Sequence, residues 1–168
     1  MACLGYYRGR RHLVSALFVD YGQPARLKEV KAASAICRSL GVPLSIARLR
    51  PPRIEIRAIR GRNAFLLSVA LMSAEFEFGL VSLGIHAGTA YPDCSAAFVE
   101  QTQRIYDMYG GGRIRIDVPF VSWSKRDVYD FAARRRLPLH LTYSCLLGRK
   151  RPCGECESCR DVEKLRAR

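Results

Sequence analysis

Apolar and polar positions along the chain switch repeatedly between a strand-like and a helix-like period. Leu13 to Gln23, LVSALFVDYGQ, is a near-continuous apolar run closed by Asp-Tyr-Gly, which predicts a buried strand. Ala25 to Leu40 moves to helical spacing, with Leu27, Val30, Ala33, Ile36, Cys37 and Leu40 on one face and Gly41 as the stop. PLSIARL at 43–49 predicts a second strand, ended by Pro51-Pro52, and Arg50 to Arg60 reads as a polar link. Asn63 to Phe78 predicts another helix, rich in Ala, Leu and Met and stopped by Gly79. Leu80 to His86 is a third strand and AGTAYPDC, ending at Cys94, a loop. Ser95 caps a helix running to about Tyr109, which Gly110-Gly111-Gly112 breaks. IRIDVPF has period-two alternation, and Ser124 caps a last helix, Lys125 to Arg136, with Asp127 in its first turn. Ahead of all this, ACLGYYRGRR reads as the tail of a helix.

Strands alternating with helices predict an α/β fold, a Rossmann-like parallel sheet with helices on both faces. At 168 residues we expect a single domain, with a core over 1–140, a cysteine module over 141–160 and a tail over 161–168. In such sheets ligands bind beyond the carboxyl ends of the strands. That rule selects Asp20 to Gln23, His86 to Cys94 and Phe120 to Lys125, and Arg62-Asn63 at a helix start, where backbone N–H groups suit an anion. The sequence holds no catalytic Ser-His-Asp order, no H-E-x-x-H and no common Gly-rich phosphate loop; the three glycines at 110–112 precede a strand and read as a turn.

Composition alters this picture in one respect. A formal net charge of +13 is large for the size and favours phosphate-bearing ligands, although Arg134-Arg135-Arg136 and Arg149-Lys150-Arg151 also suit a solvated face. A basic protein with a zinc module that binds nucleic acid is one function class consistent with the charge. The aromatic interleaving and groove-reading helix of that class are missing from the pattern, so direct nucleic-acid binding is not expected. No run reaches membrane-spanning length and no signal peptide is evident, which makes the cytoplasm the expected compartment.

The most specific chemistry is at the C-terminal end, TYSCLLGRKRPCGECESCR. Cys153, Cys156 and Cys159 stand in two overlapping C-x-x-C steps, and Cys145 lies a short basic loop upstream. Two thiolates of a C-x-x-C turn converge on one tetrahedral ion, and four close the site against water, the pattern of structural zinc. Disulfides or a redox dithiol are the competing readings; a redox pair needs only two cysteines. Cys3 and Cys37 fall on apolar helix faces and read as core. Cys94 is a reactive thiol or a small buried hydrophobe, Asp93 a ligand or a turn residue after Pro92, and His86 a strand-end residue beside a glycine-containing loop. Lys125 sits in a helix first turn, where a cation is unfavourable unless an anion is present. Trp123 reads as packing.

Five motifs in register carry a resemblance: FVDYGQ after a strand, GRNAFLLSVA opening a helix, GIHAGTAYPDC, PFVSWSK, and TYSC followed by PCGECESCR. Together, from about Ala2 to Arg160, they resemble the 7-cyano-7-deazaguanine synthase family of queuosine-precursor synthesis. The resemblance implies an adenine-nucleotide alpha hydrolase-like fold, similar to other N-type ATP pyrophosphatases. It also implies a carbon–nitrogen ligase: ATP with magnesium adenylates the carboxylate of 7-carboxy-7-deazaguanine, ammonia gives the amide, and a second activation dehydrates it to the nitrile. Carried over by position, Cys145, Cys153, Cys156 and Cys159 hold zinc. Phe18, Asp20, Gly22 and Gln23 lie near adenosine, and Lys125 meets phosphate as a point charge. Arg62, Asn63, His86 and Asp93 line the deazaguanine, where a carboxylate such as Asp93 suits the donor edge of a guanine-like base. The implied partners are these small molecules; separately, a sheet edge or cleft left by truncation would favour association, as in a homodimer.

Two departures stand out. The family's Ser-Gly-Gly-x-Asp-Ser pyrophosphate loop is absent from the 168 residues, and ACLGYY resembles the later part of the helix that follows it. The expectation is a chain that begins past the loop and its strand, either an inactive remnant or one part of a split enzyme that keeps zinc. Arg60 also stands where the family usually has proline.

Overall fold

The computed structural model describes residues 1–49 and 59–167. The polar link from Arg50 and the Pro51-Pro52 strand stop therefore lie, apart from the last two link residues, outside the described residues. The chain is α/β, with two parallel strand pairs flanked by helices. It groups into two compact units, Cys3–Ala58 with Ala132–Arg168, and Ile59–Phe131; Met1 goes with the first and Ala2 with the second.

Unit 1 starts with helix α1 (Ala2–Arg8), strand β1 (Ala16–Asp20), helix α2 (Arg26–Ser39) and strand β2 (Leu44–Arg48). The two strands run parallel, from Ala16 opposite Leu44 to Asp20 opposite Arg48. The α2 helix packs on both strands. Its apolar face is narrower than its sequence suggests: Ile36 and Cys37 are buried, while Leu27 in the first turn is 74% exposed. Gly41 ends it at φ +60°, with Val42 N–H donating to the Cys37 carbonyl and Gly41 N–H to that of Arg38. These paired bonds form a Schellman motif, with glycine in the left-handed position that disfavours a Cβ. The expected strand Leu13–Gln23 is cut to five residues, of which Val19 alone is buried. Leu13, Val14 and Ser15 instead line an open cleft of about 450 Å³ with Arg8, His12 and Gly41–Pro43, so a run that reads as core is surface.

Unit 2 contains helix α3 (Arg62–Met72), strand β3 (Gly79–Ser82), helix α4 (Ala96–Gly110) and strand β4 (Ile114–Asp117). Most of α5 (Lys125–Arg134) also belongs to it. The strands pair in parallel from Gly79 with Ile114 to Ser82 with Asp117. Leu67, Tyr106 and Ile114 form the core, with Leu71, Val81, Phe98 and Ile116 packed against them. Burying a tyrosine requires a partner for its hydroxyl, and Tyr106 donates to the Leu67 carbonyl at 2.6 Å. The caps at Ser95 and Ser124 are as expected: Ser95 Oγ accepts from Phe98 N–H, and Ser124 and Asp127 bond reciprocally.

The expected helix to Phe78 stops at Met72, and the third strand ends at Ser82 rather than His86. Gly79 N–H donates to the Arg113 carbonyl to open the β3–β4 ladder, so the chain must already be extended there, and Phe76 and Phe78 are left partly or largely exposed. Only a long 3.4 Å bond from Leu83 N–H to the Asp117 carbonyl continues the ladder at its other end.

One device appears in both units. The β3 partners of β4 are the odd-numbered backbone groups, Arg113 and Asp117 among them, so the backbone N–H and C=O groups of Ile114 and Ile116 point away from β3 while their side chains pack in the core. Gln103 fills that outer edge: its Nε2 donates to the Ile114 carbonyl at 3.0 Å and its Oε1 accepts from Ile116 N–H at 2.7 Å. Gln23 does the same at the end of β1, donating to the Val19 carbonyl at 3.2 Å and accepting from Tyr21 N–H at 2.9 Å. A side-chain amide presents the donor and acceptor a neighbouring strand would offer.

The final segment contains a helix that the sequence reading missed, α6 (Glu157–Arg166), where only a module and tail were expected. Its residues are mostly charged, with no buried side chain, so no apolar stripe announced it.

Candidate functional site

In unit 1 the four cysteines come together. Cys145 is buried, and the Sγ atoms of Cys145, Cys153, Cys156 and Cys159 all lie within 4.8 Å of one another. Cys153 Sγ and Cys159 Sγ are 3.9 Å apart. Four sulfurs at about 2.3 Å from a tetrahedral zinc would be separated by about 3.8 Å, so the set fits such an ion. The loop geometry explains the convergence. Gly154 takes φ +76° inside the first C-x-x-C step, and Cys156 N–H donates to Cys153 Sγ at 3.3 Å. Cys156 is the N-cap of α6 and Cys159 stands in its first turn, so the unexpected helix positions two of the four ligands.

The electrostatics of the cluster suit a cation. Burial works to raise the Cys145 thiol, but hydrogen bonds from the Cys153 and Leu147 backbones outweigh it and bring it down to about 6. The Leu146 backbone lowers Cys156 in the same way. Cys159 moves the other way, to about 12, first through burial and then through the neighbouring sulfurs. Crowded sulfurs share protons in this manner, and a divalent ion allows all of them to ionise. The module is fastened to the turn after β1. Gly148 holds φ +62° against the backbone of Pro24 and Ala25, and a Cβ there would run into the Pro24 carbonyl oxygen.

That turn carries Asp20, Gly22 and Gln23, and their side chains are largely spent on building it. Asp20 Oδ1 accepts from Gly22 N–H at 3.1 Å, and Gly22 itself is left-handed at φ +85°. Gln23 is buried; besides bridging Val19 and Tyr21 it donates to Glu29 Oε2 at 3.0 Å. Phe18 is half-buried on β1.

In unit 2 the structure brings Arg62, Asn63, Asp93 and Cys94 together across a separation of 30 residues. Gly61 at φ +69° turns the chain into α3, and Asn63 N–H donates to Asp93 Oδ2 at 2.9 Å. Asn63 Nδ2 returns a bond to the Asp93 carbonyl at 2.9 Å and another to Cys94 Sγ at 3.4 Å. The helix start read as a place for a bound anion is thus met at Asn63 by a carboxylate of the chain itself. A second pair of loops meets at the carboxyl ends of β3 and β4. Ala87 N–H donates to the Trp123 carbonyl at 2.8 Å, which places His86 close to the turn that leads into Lys125. His86 Nδ1 stands 2.7 Å from the Ala87 carbonyl, which can only accept, so Nδ1 donates there. Trp123 packs edge-on against Phe120 and Phe131, as expected of a packing residue.

The sequence reading missed the interlocking of Asn63 and Asp93 and the bridging role of Gln103. Neither follows from spacing, because each depends on which loop or strand lies opposite.

A family profile described as queuosine biosynthesis protein QueC matches residues 1–166. The chain is 27% identical over 194 aligned positions to a 7-cyano-7-deazaguanine synthase of Prochlorococcus marinus, covering 97% of this chain and 85% of that protein. It is 30% identical over 183 positions to proteins of the same name from Brucella ovis and Brucella suis, covering 92% of this chain and 78% of each.

Proposed function

The chain belongs to the family of queuosine biosynthesis protein QueC, and on that footing we propose that it takes part in ATP-dependent conversion of 7-carboxy-7-deazaguanine and ammonia to 7-cyano-7-deazaguanine. The observation that carries this reading is the family match over residues 1–166. In this reading Arg62, Asn63, His86 and Asp93 line the base, with Asp93 held in orientation by the two backbone and amide bonds from Asn63. The base's carboxylate attacks the α-phosphate of ATP and pyrophosphate leaves. Ammonia displaces AMP to give the amide; the amide oxygen then attacks the α-phosphate of a second ATP with loss of pyrophosphate, and departure of AMP with that oxygen and loss of the two N–H protons gives the nitrile. Lys125 supplies a point charge to phosphate. Phe18 and the turn built by Asp20, Gly22 and Gln23 shape the adenosine side, magnesium accompanies ATP, and the four cysteines hold zinc as a structural ion. The protein works in the cytoplasm, where ATP is supplied and thiols stay reduced; a homodimer is the proposed assembly.

One observation supports a second reading. The 168 residues contain no Ser-Gly-Gly-x-Asp-Ser run, the family's source of backbone N–H groups for pyrophosphate. On this reading the chain holds zinc and the deazaguanine but does not itself cleave ATP.

Calorimetry with 7-carboxy-7-deazaguanine, followed by an assay with Mg-ATP and ammonium chloride, separates the two. Nitrile and AMP formation by the 168-residue chain supports the ligase. Binding of the deazaguanine with no AMP supports the second reading. A chain that does not bind the deazaguanine refutes both.

A further inference from the structure

The net charge is not spread over the molecule. Unit 2 carries seven basic and eight acidic side chains, so the whole +13 excess rests on unit 1. Within unit 1 no Asp or Glu stands between Met1 and Val19 or between Phe131 and Gly154. The fold brings those two acid-free stretches together. Gly5 lets α1 approach Leu137 so closely that a Cβ there would lie 2.6 Å from Leu137 Cδ1, and one added at Gly9 would lie 3.7 Å from Arg135 Nη1. Arg8, Arg10 and Arg11 at the end of α1 therefore meet Arg134, Arg135 and Arg136 at the end of α5, and all six are exposed.

A helix C-terminus is served by one cation in its last turn, which does not account for six. A further detail sets these ends apart. Each closes with the same paired bonds as α2: His12 N–H to Tyr7 and Arg11 N–H to Arg8, and Leu137 N–H to Ala132 and Arg136 N–H to Ala133. In α2 the left-handed position is Gly41, the ordinary occupant; in the other two it is Arg11, at φ 62°, and Arg136, at φ 53°. Arginine is thus placed twice where the backbone favours glycine.

We propose that this six-arginine surface binds single-stranded RNA. Arginine forks match phosphodiester oxygens. Arg10 lies 3.6 Å over the Tyr6 ring, and exposed His12 stacks edge-on against Tyr7, which supplies the flat cation and ring surfaces that unpaired bases stack on. The sequence pattern lacked this interleaving because it arises only when α1 folds. At seven residues α1 is too short to read a major groove, which favours single strands over duplex. The surface stands at the amino-terminal end of β1, while the Asp20–Gln23 turn lies at the other end of the five-residue strand, about 17 Å away. It is therefore distinct from the side of unit 1 assigned to the nucleotide.

The test is fluorescence anisotropy of a labelled twelve-nucleotide single-stranded RNA with the full 168-residue chain across a salt series. Binding falls with salt, with a log–log slope of about −4 if all six arginines meet phosphates. The double variant Arg11→Gly/Arg136→Gly binds about five- to tenfold more weakly, yet melts at the same or a higher temperature, because glycine suits both backbone positions. Arg104→Gln in unit 2 binds as the parent does. Unchanged RNA affinity in the double variant, tighter binding of duplex than of single-stranded RNA, or binding to phosphatidylserine vesicles with none to RNA would each overturn the proposal.

Discussion

At the scale of single residues, much of the site's order comes from side chains that satisfy neighbouring backbone. Asp93 is both a proposed base contact and the partner of Asn63 N–H, so its carboxylate is oriented before any ligand arrives. Gly148 is the most constrained position of the cysteine module. An alanine there would occupy a left-handed backbone and meet the Pro24 carbonyl, with no flexible side chain able to yield. Gly148→Ala is expected to destabilise unit 1 by about 3 kcal/mol, read as a lowered denaturant midpoint with weaker metal retention. A midpoint within error of the parent's would show that the loop can move off the turn. The four cysteines were legible because their spacing is itself the chemistry. Asn63 with Asp93 was legible only as two separate residues, since no local pattern records which loop faces which helix start.

At the scale of elements, among the described residues the sequence reading located all four strands and five of the six α-helices, and the serine caps fell on Ser95 and Ser124 as read. The ends were less accurate where pairing overrode pattern. Phe76 and Phe78 continue an apolar run, but the bond from Gly79 to Arg113 commits that stretch to an extended path. Residues 13–15 look like strand core and instead line a cleft, because the ladder starts only where Ala16 N–H meets the Pro43 carbonyl. The α6 helix lacked the apolar stripe by which helices are recognised and is fixed by its cysteines. The bridge from Gln103 to β4 has a measurable consequence: Gln103→Leu keeps the volume but leaves the Ile114 carbonyl and Ile116 N–H without their partner. The expected cost is about 2–3 kcal/mol, with faster amide exchange at Ile116. Parent-like exchange and stability would mean that water replaces the amide without loss.

At the scale of the whole molecule, the two units differ in what holds them. Unit 2 has the apolar core around Leu67, Tyr106 and Ile114, whereas much of the C-terminal part of unit 1 is organised around four thiols. The protein should contain one zinc per chain. Acid rather than alkali should release it: Cys145 is held down to about 6, so its contribution as a thiolate is present above its ordinary value and is lost as pH falls through that point. Atomic absorption with a chromogenic chelator across about pH 4 to 10 checks both statements; reduced protein without zinc, or release only at alkaline pH, would contradict them. Chelation should increase hydrogen exchange in residues 142–166 before it does so in the Tyr106 core. The glutamine bridges have a different consequence at this scale. Short parallel strands with bare rims are templates on which identical chains accumulate into cross-β stacks, especially while a polypeptide is still being made and its concentration is locally high. Gln23 and Gln103 put an imitation of the next strand in place, one that cannot itself be extended. A copy of this chain approaching β1 or β4 from that side therefore finds the Val19 carbonyl and Tyr21 N–H, or the Ile114 carbonyl and Ile116 N–H, already bonded.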